Sequence, residues 1–250
     1  MMKIVNFGIA IAVVLLSVST TYSQGSSTRI TINNDLEIIQ LTPNIYIHLS
    51  CAEFQGIGRF ASNGMILTEG DQAFLFDTPP NVQLTQQLVD WMSQTMKLKI
   101  VGFIPNHWHI DCMGGLSYLN SIGVKSYANQ MTIDIAKVKN LPLPTKDFKD
   151  SLTLYLGKRE IFCYYPGAGH SMDNIVTWLP DEKILFGGCL LKSPETNNKG
   201  NTKDADLKAW PVTVQKVKNR FLEARIVIPG HGVIGDASIF DHTIAIVTMK

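Results

Sequence analysis

The chain is short of charge. Only 17% of its 250 residues are Asp, Glu, Lys or Arg, and 22 basic against 21 acidic side chains leave a formal net charge of +1. Without a basic excess it lacks the electrostatic footprint of a dedicated nucleic-acid binder. Four cysteines are too few for a disulfide scaffold of this length. Beyond the N-terminus no apolar run is long enough to span a bilayer. No repeat at solenoid periods and no linker-like stretch divides the chain. With 45% apolar residues the composition is neither disordered nor collagen-like, and the length can bury a sizeable core. Six histidines are an ordinary number, so their positions carry the information.

The N-terminus reads as a secretory signal peptide. Lys3 gives a positive start, Ile4 to Val18 is mostly apolar, and Thr21 and Ser23 are small residues at −3 and −1 of a cleavage point after Ser23. The rival reading is an uncleaved anchor, but the apolar stretch falls short of the roughly 20 residues that span a bilayer. No Cys follows the cleavage region, which speaks against a lipidated N-terminus. Residues 1–23 are thus expected to be removed. Residues 24–250 are expected to form one exported, soluble, periplasmic domain without stable membrane association.

Strand and helix patterns mix throughout. Residues 24–34 are polar and expected to fray. Glu37–Leu41 and Ile45–Leu49 read as paired strands, Cys51–Gly64 as a glycine-bearing loop, and Met65–Thr68 and Ala73–Phe76 as further strands. Val82–Met96 has the period of an amphipathic helix with Leu84, Leu88, Trp91 and Met92 on one face. Ile100–Ile104, Leu152–Leu156, Ile161–Tyr165, Ile175–Leu179, Ile184–Phe186 and Ile226–Ile228 read as strands. Leu116–Asn120, Met131–Lys139, Val212–Ala224 and Ser238–Met249 read as helices. The fold class is α/β.

Four apolar runs end in loops that carry potential metal ligands. Ile100–Ile104 leads to Asn106-His107-Trp108-His109-Ile110-Asp111-Cys112, and Ile161–Tyr165 leads to Gly167-Ala168-Gly169-His170. Ile184–Phe186 leads to Gly187-Gly188-Cys189, and Ile226–Ile228 leads to Gly230-His231-Gly232. His48 and His242 stand elsewhere. An extended backbone sends His107 and His109 to one side, and Asp111 can follow them. On the same alternation Cys112 points away. His107, His109, His170, Asp111, Cys189 and His231 make six donors, more than one four-coordinate structural zinc needs. They suit two zinc ions with open positions for water. The natural partition is an all-imidazole trio, His107, His109 and His170, beside a mixed trio, Asp111, Cys189 and His231. A lone His-x-His or a lone Cys is weak evidence; the conjunction at strand ends is what is specific.

These motifs carry a family resemblance. His107-Trp108-His109-Ile110-Asp111 with Gly114-Gly115 resembles the signature of the metallo-β-lactamase superfamily. Gly169-His170-Ser171-x-Asp173-Asn174, Gly187-Gly188-Cys189-x-x-Lys192, Gly200-Asn201, Ala209-Trp210-Pro211 and Pro229-Gly230-His231 are similar to class B β-lactamases with a three-His and an Asp-Cys-His site. Asn106–His109 and Ser126–Asp134 resemble the Bacteroides-type enzymes of that subclass. The resemblance covers nearly all of residues 35–250. It implies an αββα sandwich, two mixed sheets face to face with helices outside, and a monomer that acts on small β-lactams. Three features depart from the family pattern: Cys112 stands where many relatives have Arg, Ser171 replaces a usual Thr, and Ile57 stands where similar enzymes have Trp.

The resemblance also implies a mechanism, attack on the lactam carbonyl by zinc-bound hydroxide, formed without a separate general base. Asp111 would hold the second zinc and accept a hydrogen bond from the hydroxide, Asn201 would stabilise the oxyanion, and Lys192 would pair with the substrate carboxylate. Without the family, Lys192 is a surface cation and Asn201 a turn residue. Asp77, after a strand, is either a turn cap or a residue that orients a ligand. Ile57, between Gly56 and Gly58, either closes over an apolar substrate group or folds into the core. Rival functions are a thioesterase of the same superfamily, which typically has His after the Asp and Asp in place of Cys189, and a non-catalytic zinc-binding exported protein.

Overall fold

A computed structural model describes residues 28–54 and 58–249. The segment read as a signal peptide and Ile57 lie outside the described residues. The first sheet holds β1 (Arg29–Asn33), β2 (Leu36–Thr42), β3 (Ile45–Phe54), β4 (Gly58–Glu69), β5 (Gln72–Phe76) and β6 (Lys99–Ile104), side by side in chain order. Every neighbouring pair is antiparallel except β5 and β6, which run parallel across α1 (Val82–Gln94). A two-stranded patch of β7 (Tyr127–Asn129) and β8 (Lys146–Phe148) follows. The second sheet has the order β13-β12-β11-β10-β9, with β9 (Ser151–Leu156), β10 (Arg159–Tyr164), β11 (Val176–Leu179), β12 (Ile184–Gly188) and β13 (Ile226–Pro229). It too is antiparallel except for its last pair, β12 and β13.

Strand alternation sorts the apolar residues into three cores. Ile45, Ile47, Phe74 and Phe76 meet Ile161, Ile184, Phe186 and Ile228 between the sheets. Their neighbours on the opposite face, Tyr46, Ala73 and Leu75, pack under Leu84, Leu88, Trp91 and Met92 of α1 and Leu116 and Leu119 of α3 (Leu116–Ser121). On the second sheet, Leu185 and Val227 turn outward to Trp210, Val214 and Val217 of α5 (Ala209–Arg220) and to Ile239 and Phe240 of α6 (Ser238–Thr248). Helix, sheet, sheet and helix are therefore stacked as the resemblance implies. Asn81 starts α1 by accepting the Leu84 N–H at 2.8 Å, as a helix N-cap does.

Four local expectations are corrected. Residues 29–33 of the stretch expected to fray form β1. It is polar because it is a sheet edge, and Arg29 pairs with Glu37 across it at 2.8 Å. Within the Cys51–Gly64 segment, the described residues Cys51–Phe54 and Gly58–Gly64 are paired strand arms rather than a loop, part of a ladder running from Ile45–Leu67 to Phe54–Gly58. Its Gly64 marks a close approach rather than a break. From His109 the chain turns into α2 (Ile110–Met113) instead of staying extended. The helix expected from Val212 starts at Ala209, because the Asp206 carboxylate accepts the Lys208 and Ala209 N–H groups. Pro211 is tolerated in its first turn, where no helix partner for its nitrogen is needed.

Phe186 is almost fully buried between the sheets. Phe186→Ala is expected to destabilise the chain by about 3–5 kcal/mol in urea denaturation.

Candidate metal centre

Each sheet carries one parallel pair, and parallel neighbours end on the same side. Asp77 and Asn106-His107 follow β5 and β6, and Cys189 and Gly230-His231 follow β12 and β13. Hydrogen bonds tie the two ends together. Asn63 of β4 donates its side-chain amide to Pro229 O and Gly232 O, both at 2.9 Å, and its backbone N–H to Gly230 O at 2.8 Å. Asn106 exchanges bonds with Ile175: its carbonyl accepts the Ile175 N–H at 2.9 Å and its amide donates back. Gly188, at φ 53°, passes so close that a Cβ there would stand 2.3 Å from Asn106 Oδ1.

These ties bring all six predicted donors together. Asp111 Oδ2 lies 3.0 Å from His231 Nε2 and 3.4 Å from Cys189 Sγ, and Cys189 Sγ lies 3.2 Å from His231 Nε2. Ligands at ordinary zinc bond lengths around a tetrahedral ion stand roughly this far apart. The His107, His109 and His170 rings meet nearly edge to face, with centroids 4.4, 4.9 and 5.2 Å apart. His170 Nε2 is 3.3 Å from His109 Nδ1. The trios adjoin: His107, His170 and Cys189 also gather ligand atoms within 4.8 Å, as do His107, His109 and Asp111.

The electrostatics prepare these groups as donors. Burial and the neighbouring His109 lower the pKa of His107 to about 3. Burial and His107 likewise push His170 well down, so both rings are neutral with a lone pair to offer. A hydrogen bond from Cys112 and the charge of His231 lower Cys189 to about 6, against burial and Asp111. Burial opposes the Asp111 charge, but the hydrogen bond and charge of His231 outweigh it and hold the carboxyl below the usual range. Burial also opposes charge on His231, yet Cys189 and Asp111 raise it well above an ordinary histidine. Imidazole, thiolate and carboxylate together form a donor set suited to Zn²⁺. His107 Nε2 is buried without a partner among the described residues, as expected of an atom reserved for a metal.

No family sequence model matches the chain. Individual relatives do. It is 49% identical over 234 residues to the metallo-β-lactamase type 2 of Bacteroides fragilis, covering 94% of each chain. It is 35% identical to that of Pseudomonas aeruginosa over 84% of this chain and 83% of the other. The chain belongs to the metallo-β-lactamase family. Among solved members of the family, one from Pontibacter korlensis superposes with a TM-score of 0.83 at 34% identity, over 86% of this chain and all of its own. FIM-1 from Pseudomonas aeruginosa, solved in a mono-zinc form, superposes at 0.80 with 31% identity over 87% and 97%.

Around the six donors lie contacts that metallo-β-lactamase motifs alone do not reveal. Asp204 Oδ2 is 3.0 Å from His109 Nε2, the carboxylate–histidine contact that fixes a ligand ring. It stands 95 residues from His109 in sequence, in a loop with no periodicity to mark it. Asp173 accepts from Trp108 N and Thr132 Oγ1. Cys112 overturns the expectation that it points away. Because Ile110–Met113 is helical, its sulfur is buried 3.2 Å from His107 Nδ1. Burial and its neighbours keep Cys112 a neutral thiol. It shares a hydrogen bond with His107 Nδ1, while Nε2 of that ring has no partner among the described residues.

The remaining predicted residues are placed unevenly. Lys192 is no surface cation: it is 8% exposed, with Nζ 5.1 Å from the Trp210 ring centroid, and no carboxylate pairs with it among the described residues. Gly200 passes over it, for a Cβ there would be 3.4 Å from Nζ. The neighbouring Asn201 is exposed, and its Oδ1 accepts the Lys203 N–H at 3.1 Å, the geometry of a turn residue. Asp77 both caps and orients: its Oδ1 accepts the Asn106 N–H at 2.5 Å, immediately before His107.

His231 donates Nδ1–H to Ala61 O at 2.8 Å, so the proton that Cys189 and Asp111 retain sits on Nε2. That proton must leave before Nε2 can bind a metal. Adding Zn²⁺ to the metal-free chain at pH 7 is expected to release about one proton from this trio, read by an indicator dye in weak buffer. Zinc uptake without proton release would remove His231 from the ligand set.

Proposed function

We propose that the chain is an exported zinc hydrolase that opens the β-lactam amide of penicillins, cephalosporins and carbapenems and so confers antibiotic resistance. The observation that carries this reading is the set of overlapping donor groups, His107-His109-Asp111, His107-His170-Cys189 and Asp111-Cys189-His231, in a chain 49% identical to a metallo-β-lactamase along nearly its whole length. His107, His109 and His170 would hold one Zn²⁺, and Asp111, Cys189 and His231 would hold a second. When bound, zinc would lower the pKa of a water from 15.7 to roughly 7 and neutralise charge that develops on the cleaved amide.

The chain's own residues then do the following. Asp111 accepts a hydrogen bond from the attacking water and aligns it on the carbonyl carbon. Asn201 turns from the exposed Gly200-Asn201 loop to the carbonyl oxygen as negative charge builds there. Lys192, already desolvated against Trp210 and lacking an internal carboxylate partner, pairs with the carboxylate beside the lactam ring. Ile57, between Gly56 and Gly58 in the sequence, covers the apolar part of the substrate. Residues 1–23 are the export signal, and 24–250 act as a periplasmic monomer.

Hydrolysis of a chromogenic cephalosporin tests the reading. Activity should vanish with a chelator and return with added Zn²⁺, while serine-directed β-lactamase inhibitors should do little. Full turnover by metal-free protein would refute it.

Lys192→Ala is expected to raise KM about ten- to a hundredfold for substrates bearing the ring carboxylate, the weight of a charge-assisted contact. An unchanged KM would leave Lys192 with a packing role only.

A further inference from the structure

We infer that His48, which none of the family motifs includes, is a positioning residue for the metal centre: its imidazole fills the space left by Gly64 and pins the Asp77 carbonyl, holding the turn that anchors Asn106 and His107. The observations are local and mutually consistent. His48 on β3 is paired directly across from Gly64 on β4. A Cβ on Gly64 would lie 1.9 Å from His48 Nε2, so the glycine exists where the ring needs room. The ring is 1% exposed, and Nε2 stands 3.1 Å from Asp77 O. A carbonyl can only accept, so Nε2 carries the hydrogen. Nδ1 is bare and has no partner among the described residues. Burial lowers the pKa of His48 to about 4 against the Asp77 hydrogen bond, which keeps the ring neutral with that single N–H.

Asp77 needs such an anchor. It is a non-glycine residue at φ 57°, in the sparsely populated left-handed region. This conformation turns its carboxylate onto the Asn106 N–H while its own N–H reaches Ile104 O at 3.0 Å. Releasing the Asp77 carbonyl lets the peptide relax and removes the acceptor that fixes Asn106, one residue before His107. His48 therefore acts on the metal donors through two hydrogen bonds and touches none of them.

The inference rests on the zinc reading above, and the test separates the two. The full chain is stripped of metal, and Zn²⁺ uptake is measured against a chromophoric chelator in the parent, His48→Phe and His48→Gln. Gln places an amide N–H near the position of Nε2, whereas Phe fills the space without a donor. Zinc affinity is expected to fall about tenfold in His48→Phe, the lower end for a group that orients a ligand. It should stay within about twofold of the parent in His48→Gln. If His48→Phe does not fold, His48→Asn, too short to reach Asp77, takes its place. ¹⁵N NMR of the parent should show hydrogen on Nε2 and none on Nδ1. Parent-like zinc binding by a folded donorless variant, equal losses in the Phe and Gln variants, or the opposite tautomer would each overturn the inference alone. A parent that binds no Zn²⁺ would overturn the zinc reading with it.

Discussion

Asn63 spends its side-chain amide and its backbone N–H on the Gly230–His231 turn of the opposite sheet. That cross-sheet grip, matched by the exchange between Asn106 and Ile175, is what makes a centre possible at all. His107, His109 and Asp111 follow the first sheet, whereas His170, Cys189 and His231 follow the second. Two sheets held only by the apolar contacts of Phe76, Ile184 and Phe186 could slide by an ångström at little cost. Hydrogen bonds between loops at the rim fix the offset, and a metal polyhedron tolerates errors of only a few tenths of an ångström. Gly188 serves the same end, since a side chain there would displace Asn106.

Gathering these donors works against the folded state without a cation. Four imidazoles, a thiolate and a carboxylate meet at a largely buried rim, and His107 Nε2 has no partner among the described residues. The protein limits the strain by keeping His107 and His170 neutral and by letting the proton on His231 offset the charges of Asp111 and Cys189. Zn²⁺ bound there would take over that compensation, which would couple metal binding to the stability of this rim.

The six candidate donors stand out in the sequence because each belongs to a motif that follows a strongly apolar strand; five follow the two parallel pairs, and His170 follows β10, which is antiparallel to both its neighbours. The three cores follow from alternation for the same reason: Ala73 to Phe76 dictates two faces by itself. What escapes is local and short. A helix of four residues such as Ile110–Met113 lies below any periodicity, and reading His-x-His-x-Asp as extended sends Cys112 to the wrong side. β7 and β8, three residues each, carry no usable pattern. β1 and the arms of the β3–β4 hairpin hide behind polar and glycine residues whose reasons lie across the sheet, in Glu37 and His48. Asp204 is invisible because its partner His109 is close only in space.

Cys112 shows what such a local misreading conceals. Many relatives place a fixed cation at this position, and a thiol cannot replace its charge. Lys192 is desolvated against Trp210, and burial lowers its pKa while Cys189 and Asp111 oppose that shift. Its ammonium therefore lies within the field of both anionic donors without pairing with either among the described contacts. Cys112 instead meets both trios as a neutral group: its sulfur is hydrogen-bonded to His107 Nδ1 at 3.2 Å, and its interaction with Cys189 favours the thiolate. One uncharged side chain thus readies a donor in each trio.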